Sequence, residues 1–188
     1  MEAKSGYVTN TKTSRVIGKI IKPYCGAFFQ NNQDLIDWSN SQKLLHPIYC
    51  IGDGHPGIWN LFQEIGVTEQ RQEILDWYHL KENLYKAGGS MKRSKQAESL
   101  LWSGQVNKVI NLFRYLKKTS FKTFCNYLET HRSRIVNYQY YKEESLSSIG
   151  SGTIESTIKR IGRLSETIGG TVEYRECFLI PFSSLCLS

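Results

Sequence analysis

Long apolar runs are the first thing this sequence lacks. Nowhere in its 188 residues do 18 apolar residues follow one another, which argues against a membrane-spanning helix. The opening MEAKSGYVTN has no apolar stretch of the kind a secretory signal needs. Cysteine is scarce. Cys25, Cys50, Cys125, Cys177 and Cys186 are odd in number and widely spaced, against both a disulfide framework and a zinc ribbon. None has a His and an acid nearby in sequence, so a thiol nucleophile has no support. The four histidines, at 46, 55, 79 and 131, show no metal-ligand spacing, and there are only four aspartates, at 34, 37, 53 and 76. No internal repeat and no long low-complexity linker is present. What remains is 40% hydrophobic and 12% aromatic, enough for a core and against wholesale disorder.

Positive charge is what the chain has in excess, and it is concentrated. Residues 81–163 hold 16 Lys or Arg against 6 Glu, whereas the rest holds 8 basic and 11 acidic residues. A basic block beside a slightly acidic remainder suits a polyphosphate-binding face. The plain alternative is that lysines on exposed helix faces keep a small protein in solution.

Hydropathy patterning organises the chain. Val16, Ile17, Ile20 and Ile21 mark a strand, and Leu35, Ile36 and Trp38 one face of a short helix from Asp34. The apolar run 48–51 is stopped by Gly52, Gly54, Pro56 and Gly57, predicting a buried strand that ends in a tight loop. Ile58, Leu61, Phe62 and Ile65 have helical spacing, with Gly66 as a cap. EILDWYHL begins as a second short strand and turns into a helix through KENLYKA, which GGS at 88–90 breaks. From 91 to 141 the pattern is helical and free of proline. Its interleaved tyrosines suit core packing better than base stacking. SLSSIGSG then leads into a helix, TIESTIKRIGR.

Three places could carry chemistry. Asp53 follows a predicted strand between two glycines, where a carboxylate can meet a hard cation with room for a phosphate; Asp-Gly is also a common turn former. Glu155 lies in the first turn of TIESTIKRIGR, with Lys159, Arg160 and Arg163 around the same helix. It could serve a metal beside a phosphate backbone, or simply cap the helix. The Gly-rich lead-in lacks the GxxxxGK[ST] pattern of a nucleotide loop. Asp76 and His79 form a D-x-x-H unit, although a His between aromatics is more often packed or hydrogen-bonded than a ligand.

GDGHPGIWNLF, EILDWYHLKENLYK, HRSRIVNYQYY and SIGSGTIESTIKRIGR, in this order, resemble the C-terminal part of DDE transposases of bacterial insertion sequences, nearest to a family abundant in cyanobacteria. The likeness spans residues 25–163. It implies an α/β fold: an incomplete RNase H-like core with a largely α-helical insertion. The core would be 1–80, the basic insertion 81–148 and the final catalytic helix 149–163. The resemblance also implies two-metal phosphodiester cleavage and strand transfer with Mg²⁺ or Mn²⁺. Asp53 matches the second acidic ligand and Glu155 the last; Asp76 and His79 match the C/D-x-x-H signature of transposases with helical insertions. The insertion would face DNA through Lys92, Arg93, Lys95, Lys117, Lys118, Arg132 and Arg134, followed by Lys159, Arg160 and Arg163. The implied partners are transposon ends and target DNA, with a second copy of the chain as a further one, and the implied place is the cytoplasm.

Two departures qualify the likeness. The first acidic ligand belongs on an earlier strand, and Asp34 and Asp37 fall in a helical stretch instead. The N-terminal half of the core is therefore expected to be missing and this chain to be catalytically inactive. The tail, 164–188, also leaves the family pattern, which continues into a Trp-containing segment and an Arg-Cys-Ala-Tyr stretch. Codons permitted for 166–178, read one nucleotide later, allow that continuation, so the tail is expected to be out of frame. The nucleotide sequence tests this. Two alternatives stand beside the enzyme: a non-catalytic DNA-binding or inhibitory fragment, and a helical protein-interaction module in which Asp53 and Glu155 are turn and cap residues.

Overall fold

The computed structural model describes residues 32–41 and 47–150 in full, together with five short strands outside them. Those strands are β1 (Gly6–Asn10), β2 (Thr13–Ile17), β3 (Tyr24–Ala27), β6 (Cys177–Ile180) and β7 (Ser184–Cys186). Between them lie α1 (Asn32–Ser41), β4 (Ile48–Gly52), α2 (Pro56–Gln63), β5 (Arg71–Leu75) and α3 (Trp77–Ala87). Four more helices follow: α4 (Met91–Trp102), α5 (Val106–Phe113), α6 (Thr119–Thr130) and α7 (Tyr138–Glu143). The chain is thus broadly α/β and mostly helical, with β4 and β5 as a parallel pair.

The pair forms because β4 is a short apolar run and β5 ends in the apolar Ile74 and Leu75, the two being joined by an amphipathic helix, the kind of connection parallel strands require. Ile48, Cys50, Ile51, Ile74 and Leu75 are buried, and α2 covers them with Trp59, Leu61 and Phe62. Gly52 allows this approach, since a Cβ there would stand 2.9 Å from both Ile58 Cγ2 and Trp59 Cη2. On its other side β4 pairs in parallel with β7, and the sheet order is β3-β6-β7-β4-β5. β1 and β2 form a separate antiparallel hairpin.

The helical part packs around the apolar faces of α3 to α6. Leu80, Leu84, Ala97, Leu101, Val109, Phe113 and Leu128 are buried there. It joins the sheet through an aromatic cluster in which Trp77 meets Trp102 at 4.8 Å and Tyr138 at 5.0 Å. The fully buried Tyr138 donates its hydroxyl to the Leu75 carbonyl at 2.8 Å, which satisfies a polar group that would otherwise be costly inside.

The structure sharpens the boundaries. The early strand covers Thr13–Ile17, with residues 18–23 outside the described ones, and α1 starts at Asn32 rather than at Asp34. The proline-free helical stretch 91–141 resolves into four helices. Gly104 separates α4 from α5 at φ +73°, where a Cβ would lie 3.1 Å from the Val136 carbonyl oxygen. A basic turn at 114–118 separates α5 from α6, and a short 3₁₀ turn, Arg132–Arg134, follows α6. The helix expected at 153–163 lies outside the described residues.

Candidate functional site

Parallel pairing sets the geometry of the site. Gly52 stands opposite Leu75 at the ends of β4 and β5, so Asp53 and Asp76 each follow a strand at the same level of the sheet. The Asp76 amide donates to the Gly52 carbonyl at 2.8 Å, which ties the two ends together. The carboxyl ends of parallel strands are where open α/β sheets bind their ligands.

The two carboxylates are held differently. Asp53 is half-buried, and its Oδ1 accepts the His55 amide at 2.8 Å, closing a turn that His55 continues by capping α2 through the Gly57 amide. Asp76 is 1% exposed and caps α3: its Oδ1 accepts the Tyr78 amide at 2.7 Å and the His79 amide at 3.0 Å. His79 Nδ1 lies 3.5 Å from the same oxygen. That contact raises the His79 pKa above 6.5 against the opposing effect of burial, and the charges of Asp76 and Asp53 add to the rise. The D-x-x-H unit is therefore a helix cap with the His79 ring beside the capping carboxylate.

Two residues that the pattern did not single out complete the edge. Gly54 adopts φ +106°, and a Cβ there would sit 3.2 Å from the Tyr127 hydroxyl and 3.4 Å from His131 Nε2. Helix α6 and the residue following it thus lie over the Asp53 turn. Burial raises the Tyr127 pKa, with the Asp53 and Asp76 charges adding to it, so the hydroxyl keeps its proton. His131 is shifted below 6.5, first by burial and then by the Arg134 charge, while Asp53 opposes. His131 Nδ1 is buried with no hydrogen-bond partner.

The chain returns to this edge just before the Gly-rich segment. The Trp77 amide donates to the Ile149 carbonyl at 2.9 Å. A Cβ on the buried Gly150 would stand 2.6 Å from Tyr78 Cδ2 and 3.1 Å from Asp76 Oδ1, so only glycine fits without displacement. Glu155, Lys159, Arg160 and Arg163 lie outside the described residues. Asp34 and Asp37 are exposed on α1, with Asp37 accepting the Gln33 amide at 2.9 Å.

Carboxylate oxygens are the right donor type for Mg²⁺ or Mn²⁺. Among the described residues, however, no three His, Cys, Asp or Glu side chains converge as a metal-binding group. Of the expected DNA-contacting residues, Arg134 donates to Glu73 at 2.6 Å and lies 4.3 Å from the Trp59 ring centroid. Arg132 is held by Glu129 at 2.8 Å and Asn107 at 2.6 Å. Lys92, Lys95, Lys117 and Lys118 are exposed, and Arg93 is half-buried near the start of α4. Among the described residues no helix is long and apolar enough to cross a membrane. No protein-family model, curated protein or solved structure matches the chain.

Proposed function

We propose that the chain corresponds to the C-terminal part of a DDE-type transposase core, with an RNase H-like sheet, Asp53 and Glu155 as metal ligands, and a helical insertion that binds DNA. The observation that carries this reading is the return of the chain at Ile149 and Gly150 to the edge that bears Asp53 and Asp76. Glu155 follows Gly150 by five positions, a span of at most about 18 Å of extended chain. The return at Gly150 shortens the chain path from Glu155 to the acidic edge, although just over a hundred residues lie between Asp53 and Glu155 in sequence.

Asp53 and Glu155 would hold the divalent cation, which would supply activation of an oxygen nucleophile and charge compensation at a phosphodiester. The chain's own residues would orient it. Asp53 is positioned by its turn onto the His55 amide, and Asp76 fixes the strand end and the start of α3. Tyr127 packs over the turn as a neutral group. Asp34 and Asp37 lie on an exposed helix and Asp76 is committed to capping α3, so none of them stands as the third carboxylate of a full set. Binding without cutting is the expected behaviour.

The test combines DNA retention with metal binding. The intact chain is expected to shift duplex DNA at low salt and to take up Mn²⁺, read by the loss of the free-ion electron paramagnetic resonance signal. Asp53→Asn and Glu155→Gln should each weaken Mn²⁺ uptake about tenfold or more, with no Mg²⁺-dependent nicking in any variant. Absence of DNA retention at low salt, together with Mn²⁺ uptake indifferent to both substitutions, would sink the proposal in favour of a helical protein-interaction module.

A further inference from the structure

The end of the helical part farthest from the acidic edge gathers a charge cluster from two turns distant in sequence. The turn at 88–90 between α3 and α4 meets the turn at 114–118 between α5 and α6. Ser120 Oγ donates to the Ala87 carbonyl at 2.7 Å, and Lys118 Nζ approaches the same oxygen at 3.5 Å. Gly89, at φ +110°, lets the Phe121 ring close in, where a Cβ would stand 3.2 Å from it. In sequence this junction is flanked by Lys92, Arg93, Arg114, Lys117, Lys118 and Lys122, all exposed except the half-buried Arg93.

Nothing in the described part of the chain neutralises them. Three glutamates of the helical part are paired with other cations: Glu82 with Lys86, Glu98 with Lys81, and Glu129 with Arg132. Helices α4 and α6 also begin at this end, and neither has an acidic residue in its first turn. Cations beside the positive ends of two helix dipoles repel, so the arrangement is unfavourable until an anion joins it. Two large apolar side chains stand free on the same end, Tyr115 at 86% exposed and Met91 at 61%. Exposed apolar groups ringed by cations match the sugar and phosphate surface of a nucleic-acid backbone.

We propose that this end of the helical part, centred on the 88–90 and 114–118 turns, is the surface that grips the backbone of duplex DNA. The proposal rests on the reading of the chain as DNA-binding and deepens it by assigning the surface. Helix α3 sets the spacing. Asp76 caps one end and Ala87 closes the other across 11 residues, about 16 Å at helical rise. That is about five base-pair steps along a duplex, so one DNA segment can pass the acidic edge and touch this end.

Fluorescence anisotropy of a labelled duplex, titrated across a salt series, tests the assignment. The double variant Arg114→Gln with Lys117→Gln removes two charges from the surface, and Lys108→Gln with Lys142→Gln removes two from elsewhere on the helical part. Each released phosphate contact contributes about 0.9 to the slope of log affinity against log salt. The first pair is expected to lower the slope by about 1.8 and to weaken binding at 0.1 M salt at least tenfold. Adding Tyr115→Ala should weaken it about fivefold more at the same slope. The control pair should leave the slope within about 0.3. Equal losses in both pairs, or no loss in the first, overturn the assignment while leaving DNA binding intact. A wild-type chain that retains no duplex at low salt removes the functional reading and this surface together. All substituted side chains in the four charge variants are exposed, and circular dichroism verifies that each folds.

Discussion

Asp53 and Asp76 occupy matching positions one residue beyond paired strands, yet their surroundings separate their roles. Asp76 is buried and satisfies two backbone amides at the start of α3, so its loss leaves donors unpaired. Asp76→Ala should lower stability by about 2 kcal/mol in urea denaturation, combining a lost cap with unpaired buried amides. Asp53→Asn keeps the side-chain acceptor for the His55 amide and should change stability by less than about 0.5 kcal/mol. A larger loss for Asp53→Asn than for Asp76→Ala would refute this division. The two buried-side histidines make opposite demands on pH. His79 is raised above 6.5 in the folded state, so its contribution is complete below that value and is lost as pH rises through the folded pKa. His131 is lowered, so it must be neutral to stay inside, and stability falls as pH drops below 6.5. His79→Asn should flatten the loss on the alkaline side and His131→Asn the loss on the acid side. Urea midpoints collected between pH 5 and 8 check both, and a profile unchanged by either substitution refutes the pairing of residue with limb.

At the scale of elements, legibility followed locality. The run Ile48 to Ile51 and the Ile58, Leu61, Phe62 spacing were readable because a buried strand and a one-sided helix each carry their signal within a few residues. The strand-to-helix switch at Asp76 was readable for the same reason. Tyr127 and His131 were not, because their place over Gly54 is made by packing between segments more than seventy residues apart. The exact break at Gly104 has only a weak local signal, since a single glycine inside a helical pattern is compatible with continuation. Its left-handed conformation and the nearby Val136 carbonyl make it a hinge that only glycine fits. Gly104→Ala should destabilise the helical part by about 1–3 kcal/mol. Phe113→Ala, which empties a position 1% exposed between Phe121 and Phe124, should cost about 3–5 kcal/mol. Both are read from the helical circular dichroism signal during denaturation, and Gly104→Ala at wild-type stability would mean the hinge is not constrained.

For the molecule as a whole, composition foretold a basic character and motif order suggested where it lies, but not which cations are spoken for. Arg132 and Arg134 are as basic in sequence as Lys92 or Lys117, and only the fold ties them to Glu129 and Glu73. The same fold carries a consequence for the order in which it forms. β4, α2, β5 and α3 follow one another directly, so the level pairing of Gly52 with Leu75 closes a loop of only about 23 residues. Pairing of Tyr49 with Ser184 must close one of about 135. Loop-closure entropy rises with the logarithm of length, and distant pairings are correspondingly slow. In pulse-labelled hydrogen exchange during refolding, the amides of β5 and α3 should gain protection before those of β7. β7 protected first would contradict it. The edge that holds Asp53 and Asp76 is thus expected to form early, before β7 joins the sheet.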